Sequence, residues 1–281
     1  MRVSLSITNF SWPSLDRLAE IARRADEGGL DTLWVSDHLM QAEPGTEPTE
    51  PMLEAYATLG FLASITRRVR LGAMVTAVSF RPAALLVKAV TTVDVLSGGR
   101  AWLGLGAGYH QAEAEMMGLP LPPTAQRFEQ LEDVVRLALR MWSGDDRPFD
   151  GTHTHAQRPI GSPLPVTRPH PPILIGGAGE AKTLRYVARY AQACNLFDIP
   201  DEGRTVRHKL EVLAGHCARE GRSMDDIDKT VSTRVSPGET VAEFGARLDA
   251  FAVLGLDHAV VITSGPWLPA TVDVLVGATS R

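Results

Sequence analysis

The stretch Val69–Gly118, VRLGAMVTAVSFRPAALLVKAVTTVDVLSGGRAWLGLGAGYHQAEAEMMG, sets the reading of the whole chain. It opens on an apolar run, Val69–Val75, that predicts a buried strand stopping at Thr76. Ala84–Leu96 reads as a helix halted by Gly98-Gly99. Ala101–Leu105 reads as a second buried strand, breaking at Gly104-Leu105-Gly106-Ala107-Gly108. A strand, a crossover helix and a strand make a parallel βαβ unit. Such units carry binding and reactive groups just beyond the carboxyl ends of their strands. Glycines there let a flat or anionic ligand come close to the backbone.

Outward from this unit the same alternation continues. Strands are predicted at Val3–Ile7, Thr32–Val35, Ile173–Ile175, Ala193–Phe197, Lys229–Arg234 and Ala259–Thr263. Helices are predicted over Leu15–Glu27 with Ser14 as N-cap, from Pro51 to Ile65, and over Ala112–Met117 and Thr124–Trp142. Further helices follow over Ala181–Tyr190, Val206–Arg219, Thr240–Leu254 and Pro266–Gly277. That makes eight strands separated by helices within one domain of 281 residues. The count favours a (β/α)8 TIM barrel over a doubly wound open sheet, which would show a dinucleotide fingerprint at its first turn. Gly144–Pro172 breaks the pattern, being rich in Pro, Gly, His and Thr. It reads as an insertion between the fourth and fifth strands, with a hairpin around Phe149–Thr154, that would shape the substrate mouth.

Composition narrows the partners. Hydrophobic residues make up 44% and charged residues 22%, values of an ordinary globular chain able to bury a large core. A formal net charge of −5 with no basic run speaks against nucleic acid. No run of about 18 apolar residues exists, so no membrane span is expected. Met1 leads straight into a strand, from which no targeting segment and a cytoplasmic setting are expected, with Cys194 and Cys217 as free thiols. Exposed helix faces with Trp102 or leucine stripes would permit a homodimer.

Four motifs carry chemistry. Ser36-Asp37-His38 follows the second strand, where an Asp beside a His can set the imidazole's charge and orientation; the alternative is a loop pair capping the next helix. Gly106, Ala107 and Gly108, followed by Tyr109, His110 and Glu113, lie on the same rim and offer a ring contact and an acid, or simply a tight turn. Gly176, Gly177, Ala178 and Gly179 join a strand to a helix N-terminus, whose free N–H groups and dipole favour a phosphate. Glu180 opposes an anion there unless it faces away. His153 and His155 have a metal-like spacing but no completing ligand nearby in sequence, so no metal is assigned.

Taken as a set, several segments resemble one family. They are Asp31–His38, Pro51–Tyr56, Arg70-Leu71-Gly72, Leu96–Gly108, Pro172–Gly177, Arg185–Asn195 and Arg207–Glu211. Together they are similar to the bacterial-luciferase-like flavin monooxygenases, and within them to the branch that uses the deazaflavin coenzyme F420, especially a mycobacterial-type subgroup of probable F420-dependent oxidoreductases. The resemblance implies a (β/α)8 barrel with the flavin-like ring over the strand ends. It implies a non-proline cis peptide at Met74-Val75, with Thr76 next, bulging against that ring. Asp37, His38, Met74, Val75, Thr76, Gly106–Gly108 and Gly176–Gly179 become the expected cofactor contacts. His38 stands where a sugar-oxidising member places its active-site histidine, but Tyr109 replaces that member's glutamate, which puts a sugar substrate in doubt. His38, Tyr109, Glu54 and Glu113 are the expected catalytic group. The expected activity is hydride transfer between F420 and a small organic substrate. The alternatives are an FMN-dependent monooxygenase and a non-catalytic binder of a flavin-like ligand.

Overall fold

The computed structural model of the chain describes residues 1–279. Nine parallel strands form one sheet in the order β3-β2-β1-β11-β10-β9-β8-β5-β4. In chain order these are β1 (Arg2–Ile7), β2 (Thr32–Val35), β3 (Arg70–Ala73), β4 (Thr76–Ala77) and β5 (Leu103–Gly106). The small hairpin β6 (Phe149–Asp150) and β7 (His155–Ala156) lies apart, and β8 (Ile173–Gly176), β9 (Ala193–Phe197), β10 (Asp228–Arg234) and β11 (His258–Ile262) complete the sheet. The two ends of the strand order, β3 and β4, are halves of one chain segment interrupted at Met74-Val75. A bridge between Leu71 and Ala101 joins the ends: the Leu71 N–H donates to Arg100 and the Trp102 N–H donates to Leu71, each at 2.8 Å. The sheet therefore closes into eight strand positions, and the open-sheet alternative falls.

The strand expected to stop at Thr76 instead resumes there, because the cis peptide at Met74-Val75 only interrupts it. Outward-facing Val3, Leu5 and Ile7 of β1 alternate with inward Ser4 and Ser6, and the outer set packs under the helices. Inside the ring, Trp34 and Trp102 lie 5.7 Å apart and pack with Leu174, Ala193 and Val260. Trp102 is thus barrel core and offers nothing to a second copy.

The helices fall close to their expected spans: α1 (Asp16–Glu27), α2 (Ala55–Ile65), α3 (Ala83–Ser97), α4 (Gln111–Met117), α5 (Thr124–Trp142), α6 (Thr183–Tyr190), α7 (Arg204–Glu220), α8 (Val241–Val253) and α9 (Pro269–Thr279). α2 starts four residues after Pro51 because Glu54 is its N-cap, accepting the Ala57 N–H at 2.7 Å. Ser14 sits one residue before the cap position of α1 and accepts the Asp16 N–H. Thr240 and Glu243 form a reciprocal capping box at α8. The arginines before β3 present their backbone, not their charge: the N–H groups of Arg67, Arg68 and Val69 converge on the buried Asp26 carboxylate.

The excursion over residues 144–172 does not reach the mouth. It connects a helix, α5, to the start of a strand, β8, and such connections lie at the amino-terminal face of a barrel. Thr167–His170 and Pro172 accordingly line a shallow basic recess with Arg70 and Arg100, at the opposite end from the strand tips. Two aspartates pin the segment. Asp133 accepts the N–H groups of Thr152, His153 and Thr154, and Asp94 accepts those of Val166 and Thr167. His153 and His155 each find a carboxylate, Glu129 and Asp150, but separate ones.

Candidate active site

At the carboxyl ends of the strands a cavity of about 900 Å³ opens to solvent. The loops after β2, β3, β5 and β8 all contribute to its wall. Of the expected contacts, Asp37, His38, Met74, Val75, Gly106–Gly108, Tyr109 and Gly176–Gly179 line it; Thr76 and Glu113 are buried behind its wall, and the exposed Glu54 lies outside it.

His38 is fixed by α4. Its Nδ1 lies 2.6 Å from Glu113 Oε2, and Glu113 Oε1 accepts the Leu39 N–H at 2.6 Å. Glu113 is fully buried. Burial works against its charge, but the His38 ring and the Leu39 N–H outweigh it, and the carboxyl sits below its ordinary range. An ionised Glu113 requires a proton on His38 Nδ1, which leaves Nε2 as the nitrogen able to exchange one. The His110 Nδ1 accepts the Glu113 N–H at 3.0 Å and so caps α4. The rings of Tyr109 and His110 stand edge-on to His38, with centroids 6.0 and 5.7 Å away.

Glu54 has a different part from the one expected, and Asp37, though it lines the cavity, turns to an arginine rather than to His38. Arg81 grips both oxygens of buried Asp37 at 2.6 and 2.8 Å and reaches Glu54 at 2.5 Å. Its guanidinium lies over the Tyr56 ring at 4.9 Å, and the Tyr56 hydroxyl meets Thr76 Oγ1 at 2.7 Å. This chain ties the loop carrying His38 to the segment just after the cis peptide. Burial opposes the Glu54 charge, but the Ala57 N–H and Arg81 outweigh it, and the carboxyl is held low while it caps α2. Both its oxygens are engaged and it does not line the cavity, so the proton-moving role expected of it does not fit.

The Met74-Val75 peptide is cis. The Val75 side chain fills slots that two glycines leave open: a Cβ on Gly106 would lie 2.6 Å from Val75 Cγ2, and one on Gly176 would lie 2.9 Å from Val75 Cγ1. On that side these two glycines admit the Val75 side chain, while both still line the cavity. Gly177, Ala178 and Gly179 remain free to make room for a phosphate, beside Thr183 at the start of α6, whose N-terminus no side chain caps. Glu180 turns to Lys209 and His208, at 2.6 and 3.0 Å, which removes the objection its charge raised.

The far wall was missed. Asn195 on β9 and Ser232, Thr233 and Arg234 on β10 line the cavity, with Arg247 of α8 behind them. The Asn195 side chain donates to Ser232 Oγ at 2.9 Å and accepts from Thr230 Oγ1 at 2.8 Å. The alternating polar residues in DKTVSTR were the available signal, since on a barrel strand they mark the inner face.

A closed parallel barrel thus gathers at its strand tips a large cavity, a histidine held by a buried carboxylate and a glycine-lined helix start, the features of a small-molecule site in a barrel. The sequence profile of the luciferase-like monooxygenase family matches residues 1–266, and the chain belongs to that family. An F420-dependent glucose-6-phosphate dehydrogenase of Kineococcus radiotolerans is 29% identical over 237 residues, covering 81% of this chain and 66% of that protein. The chain spans 61–66% of the length of the curated dehydrogenases of that name among its matches. Among solved structures, an F420-dependent secondary alcohol dehydrogenase in complex with an F420-acetone adduct superposes with a TM-score of 0.84, at 15% identity and 99% and 97% coverage of the two chains. The coenzyme F420-dependent tetrahydromethanopterin reductase of Methanopyrus kandleri gives 0.78 at 16% identity, covering 98% of each. At those identities the likeness is one of fold, the TIM barrel.

Proposed function

We propose that the chain is an oxidoreductase that holds a deazaflavin of the F420 type in this cavity and moves a hydride between it and a small organic substrate. The observation that carries the reading is the convergence of four loops, after Val35, Ala73, Gly106 and Gly176, on one cavity beside His38. The residues suit the group. Val75, Ala77 and Ala107 offer an apolar backing for a flat ring, and Gly177–Gly179, Thr183 and Arg234 offer amides, a hydroxyl and a cation to a phosphorylated tail. When bound, the deazaflavin supplies the hydride chemistry. The chain supplies position and a proton: His38 Nε2 gives or takes one at the substrate oxygen, Glu113 orients the ring, and Tyr109 contacts ring or substrate. Glu113 is a positioning residue in this scheme, since both its oxygens are engaged.

A cytoplasmic setting goes with this reading, as Cys194 and Cys217 are unpaired and buried, and burial pushes the Cys194 thiol up to about 12. No helix among the described residues is long and apolar enough to cross a membrane. A homodimer is the proposed assembly, with exposed Leu85 and Leu96 of α3 as its candidate contacts. The test of the function is a fluorescence-quenching titration with F420 and, in parallel, FMN. Micromolar binding of F420 with weak binding of FMN is expected; tight FMN binding with none of F420 would turn the assignment to an FMN enzyme.

A further inference from the structure

Charge in the cavity is unevenly matched. On the half formed by the β1 to β5 ends, no lysine or arginine lines the wall among the described residues. Arg81, behind it, is already shared between Asp37 and Glu54. Glu43, from the loop before α2, lines this half; its carboxylate accepts from the Thr8 hydroxyl and the Gly265 N–H, and no cation lies within 4 Å among the described residues. On the other half, Arg247 is paired with Glu239 at 2.8 Å. Asp198 accepts from Thr233 Oγ1 and has no ion pair among the described residues. Arg234 is then the one lining cation without a carboxylate partner among the described residues, and the cofactor phosphate has first claim on it. At the rim, Tyr109 and Phe197 are 74% and 53% exposed, large apolar surfaces still open to solvent although the Tyr109 ring has one edge contact with His38.

We propose that the substrate is an uncharged molecule with an apolar, ring-sized body, held between Tyr109 and Phe197 with its hydroxyl or carbonyl at His38, and that anionic substrates such as sugar phosphates are rejected. This rests on the oxidoreductase reading above and names its substrate class. A second phosphate would meet two carboxylates without ion pairs, half-buried Glu43 and exposed Asp198, and no spare cation, so like charges would repel it. An apolar body instead releases the exposed aromatic rim from water. Like charges set against each other suppress a wrong partner more strongly than a small difference in apolar size does.

Matched pairs test the rule: cyclohexanone against 4-oxocyclohexanecarboxylate, and benzaldehyde against 4-formylbenzoate, with glucose 6-phosphate alongside. Binding is read by saturation-transfer NMR on the full chain, with F420 and without it. The neutral member of each pair is expected to bind at least tenfold tighter, and Glu43→Gln is expected to shrink that ratio severalfold by strengthening the anionic member. Equal or tighter binding of the anionic members or of glucose 6-phosphate overturns the proposal, as does silence from both members of every pair. Failure of F420 itself to bind falls on the functional reading instead, and the titrations without F420 still report the charge rule.

Discussion

At the residue scale the contacts that matter are few and specific. Val75 seats against Gly106 and Gly176, and the fit is tight enough to predict from distance alone. Gly176→Ala puts a methyl group 2.9 Å from Val75 Cγ1, so Val75 must move. The variant is expected to lose about 1–3 kcal/mol of stability and at least tenfold in F420 affinity. Adding Val75→Ala should restore most of the stability, because the two changes share one slot. A double-mutant cycle in urea checks this, and additive losses would show that the slot is not shared. The sequence displayed these glycines clearly but not what fills them, since Val75 lies about thirty residues from one and a hundred from the other. Asp37 and Glu54 misled for a similar reason: their partner, Arg81, is distant in the chain, and only the fold reveals that their charge is already matched. His38 and Glu113 were both visible as polar residues past strand ends, and their 2.6 Å contact is a product of the barrel's closure.

At the element scale the long excursion after α5 is held by two buried carboxylates rather than by its own hairpin, which has only two residues per strand. Asp133 alone serves three N–H groups. Asp133→Ala leaves them without acceptors and is expected to cost about 2–4 kcal/mol, read as a lowered Tm, with protease cleavage appearing within residues 144–172. F420 affinity should stay within twofold of the parent, since no residue of that segment lines the cavity. A large loss of affinity would mean the segment reaches the mouth after all. Its irregular composition identified it as an excursion, while its end of the barrel follows from the direction of the connection. Helix limits were legible where a capping pair announced them, as at Thr240 and Glu243, and drifted where the cap was a residue such as Glu54 that also suits other roles.

At the scale of the whole molecule the barrel's interior carries a pH dependence. His258 is buried in the bore, with Nε2 beside Ser4 Oγ, and burial lowers its pKa to about 4. The unfolded chain binds that proton from about pH 6.5 downward, so the stability His258 contributes is full above that value and is lost as pH falls towards 4, on the order of 3 kcal/mol in all. Asp26 adds a second loss lower down: burial opposes its charge, three backbone N–H groups outweigh that, and its carboxyl is held below the ordinary value. The Tm should therefore fall between pH 6.5 and 4.5, and His258→Gln should flatten that interval while leaving the steeper drop below pH 4. An unchanged slope in the variant would assign the interval to other groups. The eight-strand plan was readable because each strand is a short apolar run between helical periods. Closure of the ring was expected from the strand count, but not the way its ends join, since that rests on one bridge, Leu71 to Ala101, between residues thirty apart.

The pinned hairpin near Thr152 packs on the outside of α5, at Glu129 and Asp133, and none of its residues lines the cavity. The exposed stretch just after it, at Gln157 and Arg158, is accordingly a safe anchor: a short tag inserted there could tether the protein to a bead or an electrode with the cavity left open. Relatives could likewise lengthen or trim that strip without retuning what they bind.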